Sequence, residues 1–174
     1  MRRVVFTQKG GVGKSSIACN LAAISASRGL RTLLIDLDTQ GNASEYLLGQ
    51  PVSELTDTIE TFFEQSLAIK FLSKRSPTSY VHRTRYDNLS VIPAGAGLDF
   101  LVSKLEAKQK IYKLRGALEE LGRRYQRIYI DTPPAINFYT RSALIGAQRV
   151  LVPFDCDDFS RQALYTVRET IAEL

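Results

Sequence analysis

The residues best suited to chemistry lie near the start of the chain, in Lys9-Gly10-Gly11-Val12-Gly13-Lys14-Ser15-Ser16. Three glycines let the backbone turn tightly and aim its N–H groups inward, since a residue without a Cβ reaches conformations closed to others. A helical pattern follows, and the N-terminus of a helix attracts anions. The stretch therefore reads as a phosphate cradle, in which Lys14 can reach β- and γ-phosphates and Ser15 can coordinate Mg²⁺. Two further sets of oxygen donors occur: Asp36 and Asp38 in Asp36-Leu37-Asp38-Thr39-Gln40-Gly41-Asn42, and Asp131 in Asp131-Thr132-Pro133-Pro134. Taken alone, the pair at 36 and 38 would read as loop residues and helix caps.

The elements around these residues give them a common edge. Arg2 to Thr7 reads as a short buried strand feeding the loop, and Ser15 to Arg28 as a helix with apolar positions at Ile17, Leu21 and Ile24. Gly29 suits the residue just past that helix. Thr32 to Ile35 is a second apolar strand, completing a βαβ unit whose crossover is right-handed in nearly all cases. Asp36 and Asp38 then emerge at the same carboxyl edge as the loop, where open α/β sheets bind ligands. Farther on, helices are expected at Asn42 to Leu48, within Leu55 to Ser73, and at Leu98 to Leu105, Ile111 to Leu121, Asn137 to Gly146 and Ser160 to Leu174. Ser160 is the expected cap of the last. Strands are expected at Leu89 to Pro93, at Arg127 to Ile130 with Asp131 at its tip, and at Val150 to Pro153. The result is a three-layer α/β/α fold on about five mostly parallel, twisted strands. Gly95-Ala96-Gly97 reads as a turn, and His82, the one histidine, as a surface residue.

At 174 residues and 44% hydrophobic, the chain has room for one domain with one core. No apolar run approaches the roughly 20 residues of a membrane span. Cys19 and Cys156 lack metal-ligand spacing, so neither a disulfide framework nor a zinc site is indicated, and a cytoplasmic setting is expected. Cys19, among Ala18, Ala22 and Ala23, reads as a small packing residue. The net charge of +5 is uneven, because residues 65 to 127 hold 13 Lys and Arg against 5 Asp and Glu. Such runs are solvated helix faces as often as nucleic-acid surfaces. Lys74, Arg75, Arg83 and Arg85 flank one stretch of this run; Lys104, Lys108, Lys110, Lys113, Arg115, Arg123, Arg124 and Arg127 crowd another.

The strict phosphate-loop pattern asks for glycine where Gln8 stands, and a second lysine, Lys9, follows it. The string K-G-G-x-G-K-S, with D-x-D-x-Q-G-N at 36 to 42 and D-T-P-P at 131 to 134, resembles the deviant Walker A motif and motif order of the ParA/MinD family, on the ParA (Soj-like) side. The resemblance implies a P-loop ATPase domain over 1–174, binding ATP through residues 9 to 16. It implies that Lys14 and Ser15 hold phosphate and Mg²⁺, that Lys9 reaches a partner's phosphates in an ATP-sandwich homodimer, and that Asp38 positions the attacking water. Asp131, with Ser15 and Asp38, belongs to the Mg²⁺ region. It also implies slow, partner-stimulated ATP hydrolysis, a ParB-like activator, non-specific DNA as cargo and a nucleoid association. Thr39 departs from the proline of many relatives, and relatives usually run on beyond this length, so a missing C-terminal part is expected. MinD-like membrane positioning is the alternative, although Ser160 to Leu174 mixes Arg161 and Arg168 with Glu169 and Glu173. A metal-cluster carrier needs cysteines near the dimer axis, and none follows Asp131 closely. A tyrosine kinase would carry a tyrosine-rich tail.

Overall fold

In the computed structural model, residues 1–68, 75–154 and 157–174 are described, with 159 and 160 represented by backbone alone. Six strands form one sheet in the order β3-β4-β2-β5-β1-β6. They are β1 (Arg2–Val5), β2 (Thr32–Asp36), β3 (His82–Arg83), β4 (Leu89–Ile92), β5 (Arg127–Asp131) and β6 (Arg149–Leu151). Five run parallel, as expected. The sixth, β3, is an antiparallel edge strand on β4, with His82 opposite Val91. Its two residues are too short for periodicity to reveal, and it changes the reading of His82. That side chain is half-buried, and its Nε2 lies 2.6 Å from the Asp57 carbonyl.

Successive strand residues point to opposite faces, and each face has its own helical layer. Val5, Leu34, Val91 and Tyr129 pack on α1 (Lys14–Ser27) and α2 (Asn42–Leu48). Val4, Leu33, Ile35, Ile92, Ile128 and Ile130 pack on the other layer. That layer holds α3 (Ile59–Leu67), α4 (Leu98–Ala107), α5 (Lys113–Leu121), α6 (Phe138–Gly146) and α7 (Asp158–Ala172). Helix ends fall at local signals. Gly29 adopts φ +77 and returns its N–H to the Ala26 carbonyl, as its position past α1 predicts. Asn137 caps α6 by accepting from the Tyr139 and Thr140 amides, and Thr58 with Thr61 forms a reciprocal cap on α3.

Boundaries differ at two places. The last helix starts at Asp158, so Ser160 falls inside it rather than before it; its side chain lies outside the described residues, as do Lys74, Cys156 and the helical stretch expected beyond residue 68. The turn at Gly95 to Gly97 is more than a reversal. Glu60 of α3 fills the space beside both glycines and accepts the Gly97 amide at 2.8 Å, placing a carboxylate at the positive start of α4.

Candidate functional site

Register brings the separated motifs together. Val5 and Asp36 both lie level with Asp131, so β2, β5 and β1 deliver their carboxyl ends side by side. From β1 the chain enters the glycine loop, where Gly11 has φ +74 and Gly13 φ +77, conformations that side-chain-bearing residues rarely adopt. No atom lies within 4 Å of a Cβ built on Gly10, Gly11 or Gly13, so the loop's inner surface is open. Gly13 precedes α1 without a side-chain cap, and the first helical hydrogen bond runs from Ile17 N to Gly13 O at 2.8 Å. The amides of Lys14, Ser15 and Ser16 therefore have no acceptor within the helix.

A cleft of about 340 Å³ sits at this place, lined by Gly10, Gly11, Gly13, Lys14, Ser15, Ser16, Asp38, Gln40, Asn42, Tyr46 and Pro134. Lys14 is buried, with Nζ 3.3 Å from the Lys9 carbonyl. Burial pulls its pKa below the ordinary lysine value, against the opposing pull of Asp131 and Asp38. A cation already stripped of much of its water favours an anionic ligand strongly. Lys9 turns the other way, its Nζ 2.5 Å from Oδ2 of Asp157, the residue just before α7. The half-exposed Val12 completes the loop.

The three acids are used differently. Asp36 is fully buried and accepts from Ser44 N at 2.9 Å, Ser44 Oγ at 2.7 Å and Asp38 N at 3.1 Å. Ser44 Oγ in turn accepts from Ala94 N at 2.9 Å, which ties β2, the start of α2 and the end of β4 into one network. Asp38, 8% exposed, accepts from Gln40 N at 3.0 Å and borders the cleft. Asp131 is buried, and its Oδ1 accepts from Thr132 N. Its Oδ2 is buried without a hydrogen-bond partner among the described residues. Burial raises the Asp131 pKa, the nearby Ser15 hydroxyl lowers it, and Asp38 raises it further. Asp36 is raised by burial and then by Asp131.

An orphaned carboxylate oxygen close to a hydroxyl and a second carboxylate is a set of hard oxygen donors, which suits Mg²⁺. No cluster of three or more His, Cys, Asp or Glu forms a metal cage among the described residues, so phosphate oxygens would have to complete the shell. Sequence spacing found Lys9 to Ser16, Asp36, Asp38 and Asp131, and the fold gathers them at one edge. It missed Ser44, Asp157 and Tyr46. Ser44 stands eight residues past its partner Asp36 and belongs to no motif. The run Asp155-Cys156-Asp157-Asp158 was a visible cluster of acids, but nothing local pointed it at Lys9.

Comparison with known proteins agrees with this geometry. A family model described as an AAA domain matches residues 3–174. The chromosome partitioning protein ParA of Myxococcus xanthus is 37% identical over 96% of this chain. The chain belongs to the ParA/MinD family. The sporulation initiation inhibitor protein Soj of Bacillus subtilis is 31% identical, again over 96% of the chain. The chain spans 56% and 63% of the lengths of these two ParA-type relatives. Among solved structures, a cobyrinic acid a,c-diamide synthase from Mycobacterium smegmatis with bound ADP and magnesium superposes with a TM-score of 0.87. It is 26% identical, over 99% of this chain and 66% of that one. A plasmid partition protein from Borrelia burgdorferi bound to AMPPNP gives a TM-score of 0.74 at 25% identity, over 99% of this chain and 68% of that one.

Proposed function

We propose that the chain is a Mg-dependent ATPase switch of the partitioning kind, which pairs two copies around ATP, separates them on hydrolysis, and so positions or segregates DNA with a ParB-like activator. The observation that carries this reading is the meeting of a buried cation, unspent helix amides and an orphaned carboxylate oxygen in one cleft. The names of the ParA and Soj relatives, and the ADP, AMPPNP and magnesium held by similar structures, support it.

Phosphoryl transfer asks a protein mainly for positioning and for stabilisation of developing charge. The amides of residues 10 to 16 cradle the phosphates, and Lys14 faces the outer two. Ser15, Asp38 and Asp131 would hold Mg²⁺, which neutralises phosphate charge when bound. Asp38 orients the water that attacks. Lys9, once released from Asp157, reaches the phosphates of the paired copy. Lys14→Ala is expected to abolish ATP binding, because no neighbouring cation can replace it. Titration calorimetry with Mg-ATP tests this, and unchanged affinity in the variant would remove the basis of the assignment.

A further inference from the structure

The parallel strands begin at the edge opposite the cleft, and there arginine recurs. Arg2, Arg127 and Arg149 open β1, β5 and β6, and Arg31 immediately precedes β2. These strands are successive neighbours, β2-β5-β1-β6. At about 4.8 Å between strands, the row runs about 14 Å across the sheet. Arg83, on β3, extends it past β4.

At the β3 end the row opens into a groove of about 450 Å³, walled by Arg31, Arg83, Arg124, Tyr86 and Tyr125, with Asp87 as its one lining acid. The three arginines are exposed, and none forms an ion pair among the described residues. Arg85 lies 5.1 Å over the Tyr86 ring and donates to its hydroxyl at 2.9 Å, holding an exposed aromatic at the rim. The nearest helical acids already have partners: Glu119 pairs with Arg115, and Glu120 accepts from Ser76 Oγ at 2.5 Å. The Met1 ammonium, at the same edge, has its pKa lowered by burial and by Arg127, Arg2 and Arg3. So many uncompensated like charges repel one another, and a polyanion relieves that repulsion.

We propose that this edge is a docking surface for the phosphate backbone of duplex DNA, gripped by Arg31, Arg83 and Arg124. Guanidinium forks match phosphate oxygens, and a row of them suits a repeating polyanion better than a single small anion. A membrane surface would call for apolar side chains to insert beside the charges, and the one aliphatic residue of the groove, Leu89, is buried. Contacts to phosphate alone carry no base sequence, so binding is sequence-independent. Because the groove and the cleft lie at opposite ends of the strands, DNA and nucleotide can be held together. The choice of duplex DNA as occupant rests on the partitioning function proposed above.

The test is fluorescence anisotropy of the full chain with a labelled random-sequence duplex, without nucleotide, between 50 and 200 mM salt. Those concentrations are about the range over which phosphate contacts are lost. The Arg31→Ala/Arg83→Ala/Arg124→Ala variant is expected to bind at least about tenfold more weakly, with the log–log salt slope reduced by about three. A Lys104→Ala/Lys110→Ala variant, which removes charge from the α4 region instead, should lose far less. The idea is overturned by an unaffected triple variant, by equal losses in both variants, by a wild type that does not bind duplex, or by anionic vesicles that displace the duplex. Mg-ATP affinity of the triple variant should stay at the wild-type level. If it falls, the single exposed change Arg83→Glu carries the test. A wild type that binds DNA but not ATP would defeat the ATPase reading and leave this surface standing.

Discussion

Lys9 and Lys14 belong to one loop but are held differently: Lys14 is buried against a main-chain carbonyl, while Lys9 is ion-paired at half exposure. This predicts separable defects. Asp38→Ala should retain ATP and the dimer while losing hydrolysis, because its carboxylate faces water in the cleft. Lys9→Ala should bind ATP yet remain monomeric. Light scattering in ATP, with phosphate release measured in parallel, checks both, and full ATPase activity in Asp38→Ala would refute the division. Cys19 makes a different point about single residues. Burial, followed by Asp131 and Asp36, pushes its thiol up to about 12, against an ordinary value of about 8.5. A folded-state pKa above the unfolded one gives stability that is complete below about pH 8.5 and is lost as pH rises toward 12. The stability difference between wild type and Cys19→Ala should therefore move against the wild type from pH 7.5 to 10. Urea midpoints across that range measure it, and a pH-independent difference would contradict the burial.

Between elements, the decisive contacts are polar side chains that cross from one segment to another. Glu60 of α3 occupies the space a side chain at residue 95 or 97 would need, and it caps α4. Gly95→Ala should cost about 1–3 kcal/mol through overpacking. Adding Glu60→Ala should recover part of that cost while sacrificing the cap, so the two changes should be non-additive in urea unfolding. Such contacts also mark the limit of what spacing reveals. Lys14, Ser15, Asp38 and Asp131 could be found because phosphate chemistry demands those types at short, fixed separations. The Asp36–Ser44–Ala94 network, the Glu60 cap and the Lys9–Asp157 pair join segments 8 to 148 residues apart, and no local chemistry demands them.

At the scale of the whole molecule, the layers and the parallel sheet were legible because apolar strand runs alternate with helical periodicity from Val4 to Val167. Strand order was not, since periodicity says which residues are buried and nothing about which strand lies beside which. The observed order seats β5 between β2 and β1, and β1 between β5 and β6. A fragment of residues 1–126 should therefore lack the strand that joins the two halves of the sheet. It should show no cooperative unfolding by circular dichroism and no ATP affinity, and a cooperative fragment would contradict the topology. The same order bears on how the chain is made. Val4, Val5 and Phe6 leave the ribosome first, yet the lateral partners of β1 begin only at residues 127 and 149. An apolar segment completely buried at the end of folding is thus without its sheet neighbours for most of synthesis, a natural client for a chaperone acting on the nascent chain.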